Sequence, residues 1–233
     1  MPNFPTRFAH QDDPDTIWAA DPGASDTAID DPDATKTTDG RRLRRALNRE
    51  AVVDALLDLY SEGNLRPGTN EIAERAGISP RSLFRYFEDA DDLAGEAVTR
   101  QLGRSMPLLP LAVGPAAPFD ARVAALVDQR LRLFTTLGQA ALVARLRAPF
   151  QPRLAQSLRE GRRFLRGQVR TLFAPELTTM TDDEAEAALA AADVLTGFES
   201  YHLLTGDHGL AVEAMRSILI TALTVLLTPG ASR

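Results

Sequence analysis

The pattern of apolar residues changes at Asn48. Before this position apolar residues are isolated and show no period, whereas Val52, Leu56 and Leu59 then follow at spacings of three and four. This is the period of an amphipathic helix, which Asn48 is suited to cap and Gly63 to end. No run of alternating apolar and polar residues indicates a β-hairpin, so the sequence predicts an all-α protein.

Two short helices are predicted after the first. Thr69 is expected to cap the second helix, and Gly77 lies where the chain needs a positive φ to leave it. Ser79 is expected to cap the third helix, with Pro80 at its first position, and this helix is predicted to continue to Phe87. Two short helices joined by a tight turn that contains glycine form a helix-turn-helix.

The remainder of the chain is also predicted to be helical. A fourth helix begins at Asp89 and ends near Ser105, and the four prolines within residues 106–118 are interpreted as the junction between domains. Thr181 and Glu184 form a capping box at the start of a later helix. The later helices are predicted near residues 119–137, 139–148, 152–173, 181–205 and 210–227.

Charge is unevenly distributed along the chain. The net charge is −6, yet residues 1–40 hold nine aspartates against Arg7 and Lys36. Such a segment cannot bury enough apolar surface to offset its ordering entropy, and we expect it to be a disordered acidic tail. It is interpreted either as a solvated leader or as a tail that competes with phosphates for nearby arginines. We assign residues 41–95 to a three-helix helix-turn-helix domain and residues 96–233 to a second, all-helical domain.

The third helix carries side chains that suit the major groove of DNA. Arginine can bind guanine through two hydrogen bonds, hydroxyls bind phosphate, and rings contact thymine methyl groups or sugars. With Leu83 and Phe87 directed to the core, the outer face of this helix is predicted to present Pro80, Arg81, Ser82, Phe84, Arg85 and Tyr86.

The run IAERAGISPRSLFRYF, residues 72–87, resembles the signature of the TetR family of regulators, and the resemblance covers about residues 48–95. It implies a homodimer whose paired recognition helices read a palindromic site in double-stranded DNA. It also implies that Thr69 bonds a phosphate. Phe84 and Ala90 stand where the family commonly has a tyrosine and a lysine that bind phosphate. The expected DNA-binding residues of this motif are Thr69, Ser79, Pro80, Arg81, Ser82, Phe84, Arg85 and Tyr86.

Four arginines, Arg41, Arg42, Arg44 and Arg45, stand just before Asn48. Next to a helix-turn-helix they are interpreted as a flexible arm that lies along phosphates or enters a narrow minor groove. The alternative is a solvated run of charge without a partner.

The last helix is apolar on nearly every side, so it must be covered on more than one face. The family's dimers form a four-helix bundle from the final two helices of each copy. We expect a dimer interface that includes Leu195, Met215, Ile218, Leu219, Ala222 and Leu226. The alternative is a helix buried within a single subunit.

The effector site is predicted from rings on the helices that surround the ligand in the resembled family. Candidate ligand-binding residues are Phe134, Leu142, Arg145, Phe150, Phe164, Leu165, Phe198, Tyr201 and His202. Apolar rings with few polar groups favour an apolar small-molecule effector, and Arg145 or Arg147 could bind a carboxylate. Each of these residues could instead belong to the ordinary core.

The sequence lacks the residues that several classes of enzyme and metal-binding protein require. The chain has no cysteine, and Glu199 with His202 is a single Glu-x-x-His pair where a di-iron site needs two. We therefore expect no enzyme activity, no catalytic residues, no metal and no cofactor. No secretory signal or apolar membrane span is predicted, which favours the cytoplasm. The favoured function is a repressor released from DNA by a ligand; the alternatives are an activator, or a helical small-molecule-binding protein without DNA binding.

Overall fold

The structure is a computed structural model that describes residues 34–228, with side chains described from residue 42 onward. Within this range the chain forms helices and turns and no strands, which confirms the all-α prediction. It divides into two compact units at Ala97 and Val98. The division falls inside one helix, and the proline-containing residues 106–118 lie wholly in the second unit rather than at a junction.

The first described element of the first unit is a helix that is much longer than predicted. Helix α1 spans Ala34–Ser61, about 42 Å at 1.5 Å per residue, so Asn48 lies within the helix and does not cap it. The expectation of disorder is wrong for residues 34–40, and residues 1–33 lie outside the described part. The helix starts two residues after Pro32, and the next proline is Pro67. The arginine, leucine and alanine of residues 41–47 favour helix, which explains why a weakly apolar segment still propagates it.

Helix α1 ends where the sequence predicted. Gly63 has a φ of 90°, a conformation that glycine adopts readily and that ends the helix. Helix α2 spans Thr69–Arg75, and its N-cap is Gly68 in an extended conformation, so Thr69 is the first helical residue and not the cap. Gly77 has a φ of 68°, and the N–H of Ile78 donates to the carbonyl of Ala73, which closes the turn.

Helix α3 spans Pro80–Leu83 and is shorter than predicted. Its start is confirmed, since Ser79 is the N-cap and accepts a hydrogen bond from the N–H of Ser82. After Leu83 the chain continues as a tighter turn in which Arg85 and Tyr86 donate to carbonyls three residues earlier. Such a turn keeps the residues compact without a second turn of α-helix. Helix α4 then spans Ala90–Ser105, and the carboxylate of Asp89 accepts from the N–H of Asp92.

The second unit contains the later helices. Helix α5 spans Phe119–Arg147 with a break at Gly138, whose φ of 50° and ψ of −143° separate the two predicted segments. The remaining elements are a 3₁₀ turn at Met106–Leu108, α6 at Pro152–Leu172, α7 at Ala174–Leu177, α8 at Asp182–Leu195, α9 at Phe198–His202, a π-type turn at Leu203–Asp207 and α10 at Val212–Leu227.

The capping box of Thr181 and Glu184 is confirmed at the start of α8. The helix predicted to continue to residue 205 is instead interrupted. Thr196 turns its hydroxyl back to the carbonyl of Ala192, and Gly197 is extended and becomes the N-cap of α9. Both residues have low helix propensity, which lets the chain break here.

The core of the second unit joins α5, α6, α8 and α10 through buried residues such as Val127, Val169, Leu189, Met215 and Leu223. A buried ion pair lies at its edge, where Nη2 of Arg122 stands 2.5 Å from Oε1 of Glu176. The same guanidinium donates to the carbonyl of Leu172. No helix of the described residues has the length and apolarity that crossing a bilayer would require.

Candidate nucleic-acid interface and effector site

The recognition segment, residues 79–86, is held by two buried residues. Leu83 and Phe87 are buried in the first unit, while Arg81 and Arg85 are exposed. Neither guanidinium forms an ion pair within the described part of the chain. The arrangement therefore leaves two positive charges on the solvent side of a helix-turn-helix.

Two hydroxyls at the start of α3 bond to each other. The Oγ atoms of Ser79 and Ser82 are 2.9 Å apart, and Ser79 also accepts from the N–H of Ser82. Ser79 is therefore engaged as a cap, whereas Ser82 retains further hydrogen-bonding capacity. Pro80 is exposed beside them.

Helix α1 fixes the far end of the recognition segment. Nη2 of Arg45 donates to the carbonyl of Arg85 at 3.2 Å, and Nε of Arg49 donates to the carbonyl of Tyr86 at 3.5 Å. The side-chain amide of Asn48 donates to the hydroxyl of Tyr86 at 3.0 Å. Arg49 also lies 4.8 Å from the centre of the Phe87 ring and pairs with Glu96 of α4. The polar residues of α1 thus brace the turn.

The arginines before Asn48 do not form a flexible arm. Arg42, Arg44 and Arg45 are exposed side chains on α1, because the helix extends through them; the side chain of Arg41 lies outside the described residues. Arg42 and Arg45 are three residues apart and therefore share a face of the helix. That face is the one from which Arg45 reaches the recognition segment.

Other predicted DNA contacts are less accessible than expected. Thr69 is only 8 % exposed, and Phe84 and Tyr86 are half-buried. Asn48 already occupies the hydroxyl of Tyr86 as an acceptor. A tyrosine hydroxyl can still donate one hydrogen bond, so the predicted contact of Tyr86 with DNA stays a prediction.

The expected dimer interface is partly wrong. Met215 and Leu219 are 0 % and 4 % exposed because they pack into the core of their own chain, which leaves no surface for a partner. Leu195 and Leu226 are half-buried against the same core, and Ala222 is also half-buried. Ile218, at 46 % exposed, remains available. Periodicity could not distinguish these positions, since α10 is apolar on both sides.

The structure brings most of the predicted effector residues together in one aromatic cluster. The ring centres of Phe134 and Phe198 are 5.7 Å apart, Tyr201 lies 5.7 Å from Phe134, and His202 stacks on Phe198 at 5.8 Å. Leu142 and Leu165 pack against this cluster.

Two predicted effector residues do not join the cluster. Phe150 is 81 % exposed in the turn before α6, and Phe164 is 50 % exposed on α6. Neither packs in the aromatic cluster, so the structure does not bring them to the predicted site.

Arg145 is at the edge of the cluster and is already neutralised. Its guanidinium lies 4.0 Å from the centre of the Phe198 ring, and its Nε is 2.8 Å from Oε1 of Glu199. Burial raises the pKa of Glu199, but the hydrogen bond and charge of Arg145, with the charge of Arg162, outweigh it and lower this pKa to about 2. Glu199 is thus an ion-pair partner. No group of three or more potential metal ligands occurs among the described residues.

Sequence reasoning missed Arg130, a guanidinium buried beside the aromatic cluster. It donates to Oε1 of Gln168 at 2.8 Å and to the carbonyl of Leu165 at 2.9 Å. A signal was present, because residue 130 continues the apolar stripe that runs from Val123 through Val127 to Phe134. An arginine in such a stripe is either buried or extends its guanidinium to solvent.

The comparisons with known proteins agree with this architecture. Residues 52–97 match the family described as "Bacterial regulatory proteins, tetR family". No curated protein matches the chain.

Three solved structures illustrate the likeness in fold. A transcriptional regulator from Rhodococcus sp. Rha1 is 19 % identical, with 77 % of this chain and 95 % of that chain covered and a TM-score of 0.57. A protein assigned to the TetR family from Rhodococcus sp. is 17 % identical, with 78 % and 99 % covered and a TM-score of 0.57. A protein assigned as a transcriptional regulator from Pseudomonas aeruginosa PAO1 is 20 % identical, with 86 % and 98 % covered and a TM-score of 0.56.

A helix-turn-helix that matches bacterial regulatory proteins, followed by an all-helical unit, is the architecture of a DNA-binding transcriptional regulator. Over residues 52–97 the chain is similar to the TetR family of bacterial regulatory proteins, and its fold is similar to that of solved transcriptional regulators.

Proposed function

We propose that this protein is a repressor that binds a palindromic operator as a homodimer and is released by a small-molecule effector. The observation that carries the DNA-binding part is the pair of exposed, unneutralised arginines on the recognition segment, Arg81 and Arg85. Arginine binds guanine in the major groove through two parallel hydrogen bonds, which is the commonest base-specific contact. Chromosomal DNA as a target places the protein in the cytoplasm.

The arginines of α1 add contacts with phosphates. Because Arg45 is tied to the carbonyl of Arg85, the face of α1 that carries Arg42 and Arg45 stands beside the recognition segment. A helix holds these charges at fixed positions, so less side-chain and backbone entropy is lost on binding than with a flexible arm. We place their contacts on the DNA backbone, where they would raise affinity for every sequence alike.

The dimer would form through the exposed faces of α8 and α10, which pack together. On α10, Ile218 and Val225 are exposed and Thr221 lies between them, at the spacing of one helical face. On α8, Val194 is 69 % exposed. Exposed apolar side chains of this size on two adjacent helices suit a second copy of the same surface.

Release would require the effector to bind one conformation more tightly than the other, because equal affinity for both shifts no equilibrium. The aromatic cluster of Phe134, Phe198 and Tyr201 is the proposed effector site.

The test uses fluorescence anisotropy with labelled duplexes from the DNA that flanks the gene, over a range of salt concentrations. We expect tight binding to one duplex, with affinity that falls steeply as salt rises, and weak binding to a scrambled duplex of the same composition. Equal affinity for both duplexes would contradict the proposal. A reporter gene driven by the bound promoter then distinguishes repression from activation. Deleting the gene for this protein should raise reporter expression if the protein is a repressor and lower it if the protein is an activator.

A further inference from the structure

Arg130 is a fully buried arginine whose hydrogen bonds are incomplete. The residue is 1 % exposed on α5. Of the five N–H groups of a guanidinium, three donate here, to Gln129, Gln168 and the carbonyl of Leu165. Its Nε is buried and has no hydrogen-bond partner in residues 34–228. In a folded protein a buried donor of this kind calls for an explanation.

The two glutamines are oriented toward the guanidinium by the backbone. The side-chain amide of Gln129 donates to the carbonyls of Leu108 and Leu109, at 2.9 and 3.1 Å, and that of Gln168 donates to the carbonyl of Leu109 at 2.6 Å. With their N–H groups engaged, both side chains present their oxygens to Arg130. The guanidinium is therefore held in one orientation, in which the N–H of its Nε has no acceptor among the described residues.

The charge of Arg130 also lacks a counterion. Burial lowers its pKa to about 10, although the charge of Asp193 acts to raise it, so the group stays protonated at neutral pH. Within the described part of the chain no carboxylate forms an ion pair with it. The other arginine buried to this degree, Arg122, is paired with Glu176. A buried cation that meets only neutral acceptors is destabilising until an anion approaches.

Arg130 is linked to the aromatic cluster through Leu165, whose carbonyl accepts from its Nη2. Arg130 and Phe134 are four residues apart on α5 and therefore share a face of the helix. Leu109 and Leu165 supply backbone carbonyls to the polar network, while their side chains pack against the cluster of Phe134 and Phe198. A cationic donor and an apolar surface thus meet in one place.

We propose that the effector is an amphipathic carboxylate, whose carboxylate accepts hydrogen bonds from the free edge of Arg130 and whose apolar body lies against Phe134, Phe198 and Tyr201. This rests on the proposed function, because it names the chemical class of the effector for the same site. It also replaces Arg145 as the expected carboxylate ligand, since Arg145 is already paired with Glu199.

The experiment compares acids with alcohols of the same carbon skeleton. Full-length protein without DNA is titrated with straight-chain and phenyl-terminated carboxylates of about four to twelve carbons and with the matching alcohols, and binding is followed by thermal shift and calorimetry. We expect at least one acid to bind at least about tenfold more tightly than its alcohol, as a buried charge pair predicts. Equal binding of acid and alcohol, or no binding across the series, would overturn the proposal.

Substitutions then identify the residue that causes the preference for acid over alcohol. Arg130→Met removes the charge at similar volume and is expected to bind acid and alcohol equally, whereas Arg145→Met should keep the preference for acid. Arg130→Lys retains the charge without the fork of donors and should bind acid more weakly than the unaltered protein. Retention of the full acid preference by Arg130→Met would also overturn the proposal. An acid that binds but leaves operator affinity unchanged would instead contradict effector-controlled release, so the two proposals fail separately.

Discussion

The side-chain amide of Asn48 in α1 donates a hydrogen bond to the hydroxyl of Tyr86, 3.0 Å away and 38 residues later in the chain. This contact joins the long first helix to the end of the recognition segment. It lies beside two further bonds from α1, in which Arg45 and Arg49 donate to the carbonyls of Arg85 and Tyr86. Together they hold a segment whose own α-helix is only one turn long.

Removing either side of this bond tests its contribution. Asn48→Ala and Tyr86→Phe should each lower the free energy of unfolding by about 0.5–1.5 kcal/mol, and the double variant by little more than one of them, because both remove one bond. Urea denaturation of the original protein, the two single variants and the double variant gives the four free energies of unfolding that this double-mutant cycle needs. Additive losses would show that the two groups act independently. If Tyr86→Phe weakens operator binding more than Asn48→Ala does, the hydroxyl has a second role at the DNA.

Arg81 and Arg42 are expected to act differently on DNA. Arg81→Ala should weaken operator binding by about 1–3 kcal/mol and relax the choice of sequence, since this side chain is proposed to read bases. Arg42→Ala should weaken all duplexes alike and reduce the slope of log affinity against log salt by about 0.9. Anisotropy titrations at several salt concentrations measure both effects.

Arg159→Ala provides the control for these variants, because it removes an exposed arginine from the second unit. It should leave affinity, sequence preference and salt slope unchanged. Unchanged sequence preference in Arg81→Ala would show that the recognition segment faces DNA in another register than the one proposed.

The dimer surface can be tested with two matched substitutions on α10. Val225→Glu places a charge on the face shared with Ile218, and should convert the dimer to monomers in analytical ultracentrifugation at micromolar concentration. Val212→Glu makes the same change at an exposed valine on the opposite side of the helix and should leave the dimer intact. If both variants remain dimeric, the interface lies elsewhere.

Acid should destabilise the protein through Glu199. Its pKa in the folded chain is about 2, below its ordinary value of 4.5, so its contribution to stability is present above pH 4.5 and is lost as the pH falls toward 2. Melting temperatures of the unaltered protein and of Glu199→Gln should therefore differ near neutral pH and converge as the pH falls toward 2. A difference that stays constant over this range would show that the ion pair with Arg145 does not stabilise the fold.

Local sequence signals predicted many of the elements and several of their ends. The cap at Ser79 with Pro80, the turns at Gly63 and Gly77 and the capping box of Thr181 each depend on residues within a few positions of one another. Such features need no distant partner, so the helix-turn-helix could be found from spacing alone. The extension of α1 before Asn48 was missed, because its stability reflects helix propensity rather than an apolar period.

The sequence by itself determined that this chain is helical and where its helix-turn-helix lies, because apolar period and capping are properties of neighbouring residues. Only the tertiary structure decided which face of α10 is covered, so that Met215 is buried and Ile218 exposed. It also decided that Arg145 pairs with Glu199, while the Nε of Arg130 has no hydrogen-bond partner among the described residues. Periodicity shows which residues share a face of a helix. The residues that pack against that face come from distant segments of the chain.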